Sequence, residues 1–350
     1  MRPPRTAPIL LGLLGPLVLQ GCITTRLRVE MAPVRKVAFA RLIPAIDEPE
    51  FATVSEAARF MRDDEPVLGV AEPQPKAYSL WMLDRHEIVD DGPVAATWCP
   101  LAGCAMVYSR EAAGRTLTFR VSGRLWRNAL LLEDRETGTL WSQIDGSAIA
   151  GPLAGERLET VASARMTWGE WRRLHPDTLV LKKEWYDRKG RSDYTAYDAD
   201  GDRLGIFGDE NPDPRLPGKM PVLGLDADGS WVAIPLSAVT REGPLQETVG
   251  HGCPLLVAEE PGGVSARAFS RCVDGAALSF EATGATPGAL VDKETGSTWD
   301  LATLRATAGP LCGRALEAIP GQTIYWFVWA SFHPETEILL PGALEKIASR

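Results

Sequence analysis

The chain has 350 residues, is 45 % hydrophobic and carries a formal net charge of −9. That is globular composition, long enough for two domains of average size. The acidic balance argues against nucleic acid as a partner, because neutralising phosphates takes a basic surface, and no run beyond the N-terminus is long and apolar enough to span a bilayer.

The N-terminus has its own pattern. Arg2 and Arg5 precede an apolar run over residues 9–19, of the length a signal peptide requires and too short to cross a membrane. The run ends Leu19-Gln20-Gly21-Cys22, which resembles a bacterial lipobox. The resemblance implies a lipoprotein signal peptide over residues 1–21, export, cleavage before Cys22 and acylation of that cysteine. The lipid bilayer would then be a partner through the acyl chains. Ile23 follows the cysteine, with no Asp there, and by the same resemblance this points to the outer membrane, facing the periplasm. Residues 22–40 are basic and irregular and read as a tether.

The folded part starts near residue 41. Ser55 is expected to cap a short helix running to Met61. Residues 66–70 and 77–80 flank a Pro-rich turn and read as a hairpin. Strands are expected at 116–121 and 129–133, then a turn at Asp134-Arg135-Glu136-Thr137-Gly138, then a helix over 167–174 closed by His175-Pro176. The same grammar returns with strand 277–282, helix 323–332 and His333-Pro334.

The likeness is closer than grammar. Asp134-Arg135-Glu136-Thr137-Gly138-Thr139-Leu140-Trp141 matches Asp292-Lys293-Glu294-Thr295-Gly296-Ser297-Thr298-Trp299. Ala150-Gly151-Pro152-Leu153 matches Ala308-Gly309-Pro310-Leu311 at the same offset, as do Trp168, Trp171 and His175 with Trp326, Trp329 and His333. Such a repeat is read before anything else, because it sets the fold. The expectation is an α+β, mostly β protein: two tandem copies of one strand-rich domain, with about one main helix in each. Copy one covers residues 41–190 and copy two 215–345, joined by a linker over 191–214.

A residue kept in both copies is most simply a fold residue, which makes His175 and His333 structural. Copy one alone carries His86, Glu87, Cys99, Cys104, Asn128 and Gln143. It is therefore expected to hold the site, with copy two a degenerate support.

Arg85-His86-Glu87-Ile88-Val89-Asp90-Asp91, Trp98-Cys99-Pro100-Leu101-Ala102-Gly103-Cys104, Ser122-Gly123-Arg124-Leu125-Trp126-Arg127-Asn128 and Asp134 through Trp141-Ser142-Gln143 together resemble a bacterial and archaeal family, domain of unknown function 3179. Its members typically read W-H-E-I-V-N-D, Y-C-P-L-C/T-G-S, S-G-x-L-Y-N-S and W-S-Q. The resemblance implies no activity. Here Ala102 stands at the family's second cysteine position and Cys104 at its serine, so no C-x-x-C pair exists.

Three readings of this site stand open. In the leading one, His86, Cys99 and Cys104 bind a soft metal, Cu or Zn, with Glu87 as a fourth ligand or as partner of the imidazole. In the second, Cys99 is a nucleophilic or redox thiol and Cys104 resolves it. His86 and Glu87 would lower the thiol pKa, and Asn128 or Gln143 would donate to an oxyanion. In the third, the protein is a non-catalytic envelope scaffold, with Cys253 and Cys272 bridged across a hairpin and Cys312 in the core. After cleavage five cysteines remain, so one at least stays outside any intramolecular bridge.

Overall fold

The computed structural model describes residues 34–340, apart from 38–39, 185–186, 188–189, 209–211, 228, 243–244, 250–252, 260–264, 284–288 and 301–302. The expected signal peptide, Cys22 and most of the expected tether lie outside the described residues. Contacts group Pro33–Arg350 as one compact unit.

Strands dominate, with six α-helices among the described residues. The hairpin Pro66–Val70 with Lys76–Ser79 is flanked by Ala164–Thr167, antiparallel, and by Leu179–Leu181, parallel. The hairpin Pro221–Ala227 with Ser230–Pro235 is flanked in the same way by Gly321–Tyr325 and Glu337–Ile338. A seven-residue helix follows each hairpin, Leu80–His86 and Leu236–Glu242. Each helix leads into three antiparallel strands: 88–91, 94–99 and 104–109 in one half, 245–249, 253–259 and 266–270 in the other.

The repeated residues make repeated contacts. Asp134 takes the Trp141 indole N–H at 2.8 Å, and Asp292 takes that of Trp299 at 2.9 Å. Gly69 and Gly224 lie against Trp171 and Trp329, where an added Cβ would sit 2.3 Å from the indole; only glycine leaves room for the ring. His175 and His333 cap their helices and pack on Trp171 and Trp329 with centroids 4.1 and 4.2 Å apart. One core cluster draws on both halves, joining Cys99, Cys104 and Trp141 to Ile324, Trp326 and Trp329.

Several local expectations change. The first helix is Val54–Ala57, and Thr53 rather than Ser55 caps it, in a reciprocal capping box with Glu56. The second tryptophan-bearing helix begins at Trp326 instead of 323, because Gly321–Tyr325 is committed to pairing with Pro221–Ala227. The helix Leu80–His86, capped by Ser79, had no counterpart in the pattern. Cys272 is a free, exposed thiol, so the Cys253–Cys272 bridge is not formed, and Cys312 is free and exposed instead of lying in the core.

Candidate functional site

The site begins where the helix Leu80–His86 stops. Glu87 is its C-cap and takes the left-handed conformation, φ 57°, with its N–H bonded to the Leu83 carbonyl at 2.8 Å. A residue with a Cβ pays about 1–2 kcal/mol there. The reversal sends His86 and Glu87 to different surroundings. His86 is buried, with Nδ1 2.8 Å from the Pro44 carbonyl and Nε2 3.5 Å from Asp187 Oδ1. It braces the start of the folded chain against Asp187, near the end of residues 41–190. Glu87 goes the other way, its carbonyl accepting from Trp98 N at 2.8 Å, beside the last residues of the strand Val94–Cys99.

That strand and Cys104–Ser109 form a hairpin in which Cys99 stands directly opposite Cys104. The connecting turn is fixed from several sides. Ala102 N donates to the Cys99 carbonyl at 3.1 Å, and Tyr325 N donates to the Ala102 carbonyl at 2.9 Å. Arg165 Nη1 donates to the Gly103 carbonyl at 3.0 Å. Gly103, at φ +63°, lies so close to the Tyr325 ring that a Cβ would sit 3.0 Å from it. Cys104 Sγ donates to Gln322 Oε1 at 3.1 Å. Tyr325 and Gln322 belong to the second half, which thus holds the cysteine turn in place.

Residues 192–205, read as linker, are part of the site. Asp84 Oδ2 accepts from Ser192 Oγ at 2.7 Å and from Asp193 N at 3.0 Å, while Asp84 Oδ1 accepts from the Trp98 indole at 2.8 Å. Arg85 pairs with Asp193 at 2.6 Å. Tyr197 donates its hydroxyl to the Leu101 carbonyl at 2.8 Å, and Tyr325 donates to Asp198 at 2.9 Å. The Lys219 ammonium sits 3.3 Å from the Tyr197 ring centroid. The segment is strapped over the cysteine turn, and Cys99 is 2 % exposed.

Burial sets the electrostatics. It pushes the Glu87 carboxyl up to about 8, with Asp84 adding to the rise. It pushes the Cys99 thiol up to about 12, with Glu87 adding, against the lowering pull of the Leu130, Ala102 and Leu101 backbone N–H groups. Cys104 is raised by burial and then by Cys99. Tyr194 is raised by burial, then by Glu87 and Cys99. Near neutral pH, Glu87 and both thiols therefore hold their protons.

Of the six residues singled out from the sequence, Glu87, Cys99 and Cys104 come together. Gln143 is buried and steadies the hairpin, donating to Thr97 Oγ1 at 3.1 Å and to the Cys104 carbonyl at 3.2 Å. Asn128 holds the end of the strap, donating to the Gly208 carbonyl at 2.8 Å. His86 is engaged elsewhere, so the expected set of His86, Cys99 and Cys104 does not gather. Among the described residues no three or more His, Cys, Asp or Glu side chains are placed to hold a metal ion. Nor does Glu87 lower the thiol, as the second reading expected; a carboxyl beside a thiol opposes a second negative charge. Sequence reasoning missed Asp84, Tyr194 and Tyr197. The only signal was two tyrosines three residues apart in a stretch otherwise rich in turn formers.

No curated protein and no solved structure matches the chain. A family model described as a protein of unknown function, DUF3179, matches residues 41–336, most of the chain, and the chain belongs to that family.

Proposed function

We propose that the protein is a thiol–disulfide exchange protein working through Cys99 and Cys104. The observation that carries this is their direct opposition across the hairpin, both free and buried. Opposed residues of an antiparallel pair stand about 4.5–5.5 Å apart at Cα, inside the span of about 4.4–6.8 Å that a disulfide bridges. The pair closes a bond without moving the backbone far.

The exchange balances as follows. In the minority of molecules whose Glu87 is ionised at neutral pH, Cys99 gives its proton to that carboxylate, and the resulting thiolate attacks one sulfur of a partner disulfide. The partner S–S bond breaks, and its leaving sulfur takes the proton back from Glu87. Cys104 then attacks Cys99 Sγ, loses its proton, and releases the partner's second thiol. One disulfide is reduced to two thiols, and two thiols are oxidised to the Cys99–Cys104 bond. Glu87 suits the proton because its affinity is raised to about 8, and because its own protonation removes the charge that opposes the Cys99 thiolate.

The lipobox-like leader adds a setting. We infer export and attachment to the outer membrane through acylated Cys22, in a compartment where disulfides persist.

Treating the purified mature chain with an excess of a neutral aromatic disulfide tests the exchange. The expected product is an intramolecular Cys99–Cys104 bond, seen by peptide mapping as the loss of two hydrogens. Cys104→Ser should instead stop at a mixed disulfide on Cys99, and Cys99→Ser should give no bond at Cys104. A wild-type chain that keeps both thiols under conditions that oxidise free cysteine would overturn the proposal.

A further inference from the structure

The large apolar side chains left exposed among the described residues are Val34, Leu42, Ile206, Phe207 and Trp231. Single apolar residues on a surface are ordinary, but the first four gather where the folded chain begins. The short strand Arg35–Lys36 pairs with the strand Phe119–Trp126, Arg35 opposite Leu125 and Lys36 opposite Arg124. Val34 leads into that pairing. Leu42, 76 % exposed, ends the helical turn Ala40–Leu42, whose Arg41 packs on Gly123 of the same paired strand. Ile206 and Phe207 arrive at the end of the strap, between Gly205 and Gly208, both left-handed at φ 67° and 76°. Asn128, just past the end of Phe119–Trp126, holds the base of this turn. It donates to the Gly208 carbonyl at 2.8 Å and lies against Gly205, where an added Cβ would strike its amide oxygen. The Arg35 guanidinium sits 5.1 Å from the Phe207 ring centroid and joins the two segments.

Resting on the lipid anchor inferred above, we propose that Val34, Leu42, Ile206 and Phe207 form the face that this protein lays on the bilayer, entering the boundary between headgroups and acyl chains. Position along the chain selects a lipid surface as the occupant. Val34 stands twelve residues beyond Cys22, a reach of about 40 Å at most. An acylated Cys22 keeps this end of the folded chain near the lipid, and tethering turns a weak contact into an intramolecular one. Four side chains are too few to hold a free protein on a membrane, but enough to orient a tethered one. Charges of both signs ring the patch. Arg35, Lys36, Arg41 and Arg124 flank the strand pairing, and Arg26 and Arg28 precede it in sequence. Asp200 and Asp202 stand on the strap, and Asp209 and Glu210 follow Phe207 in sequence, outside the described residues. Glu133, 3.6 Å from Arg41, is also bonded by Arg120. With the signs mixed, apolar burial holds the face and headgroup charge does not, so the contact persists on neutral lipid and at high salt.

Photolabelling from within the bilayer tests this. The full chain is expressed with its own leader in a bacterial host, purified, and placed in phosphatidylcholine vesicles that contain a phospholipid with a diazirine in its acyl chain. After illumination the label is mapped peptide by peptide. Trp231, 39 % exposed against 37 % for Phe207, is the reference within the same molecule. The segments 34–42 and 204–208 should carry several-fold more label than the segment around Trp231, at low and at high salt. Label at 204–208 decides, because that segment is far along the chain from Cys22 and is not labelled merely as a neighbour of the anchor. Leu42→Asp combined with Phe207→Asp should cut the label in both segments several-fold while the chain stays on the vesicles. Acylation is read separately by mass, and attachment by flotation. An acylated chain that floats with the vesicles but labels 204–208 no more than Trp231 would overturn the face and leave the anchor standing. Label unmoved by the double substitution, or lost at high salt, would also overturn the face. A chain that carries no acyl group and leaves the vesicles would overturn the anchor, and the face with it.

Discussion

Glu87→Gln is expected to stabilise the protein by about 3 kcal/mol at pH 7. Burial raises the folded-state affinity of this carboxyl to about 8 from the ordinary 4.5. Between those values the unfolded chain releases the proton and the folded chain keeps it. The contribution of this group to stability is whole below about pH 4.5 and is lost as pH rises towards 8. Glutamine has no proton to lose, so the variant should be nearly level where the wild type declines. Asp84 and Asp90, raised by burial to about 6 and about 7, add slopes of the same sign, and the difference between the two proteins isolates Glu87. Urea denaturation at pH 5, 7 and 8.5 measures it. A gap between the curves that stays constant with pH would mean that Glu87 ionises normally in the folded protein. A protein that keeps so costly a carboxyl beside a thiol is giving up stability for a proton-handling group.

Lys183→Met should act in the opposite direction and lower stability by about 3–5 kcal/mol. Lys183 and Glu65 form an ion pair with side-chain exposures of 1 % and 0 %. Ser79 Oγ donates to the same Glu65 oxygen, and among the described residues the other oxygen has no hydrogen-bond partner. Removing the ammonium leaves a buried carboxylate without its cation, and the desolvation already spent is no longer offset. The double variant Lys183→Met with Glu65→Leu should recover most of the loss, since an apolar pair of similar volume suits the cavity. Denaturation midpoints of the single and double variants decide it. A single variant as stable as wild type would show the pair to be exposed to solvent. The effect reaches the site: Ser79 also accepts from Met82 N at 3.2 Å and starts the helix that ends at Glu87.

Much of the scaffold was legible in residue order. Asp134, Gly138 and Trp141 announced one turn and Asp292, Gly296 and Trp299 its double, because an Asx turn and a left-handed glycine are local chemistry. The helices at Trp168 and Trp326 showed through tryptophans three apart and a following His-Pro. The helix Leu80–His86 did not show. It is buried on nearly every face, so its residues carry no polar stripe from which a period could be read.

What the chain settles by itself is whatever depends on neighbours along it: the strand-rich α+β character, the recurring turns, and the closeness of Cys99 to Cys104 along the chain; that the two face each other across a hairpin appears only in the fold. Which polar groups stand around those sulfurs was decided in three dimensions. His86 and Glu87 are adjacent in sequence, yet one left-handed residue turns them apart, and a backbone reversal of that kind at a non-glycine residue leaves no mark in composition. Tyr194 and Tyr197 reach the cysteine turn from about a hundred residues away because Asp84, Leu101 and Lys219 hold the strap down. Contacts between segments so distant are fixed by packing and buried hydrogen bonds, and only the folded chain brings them together.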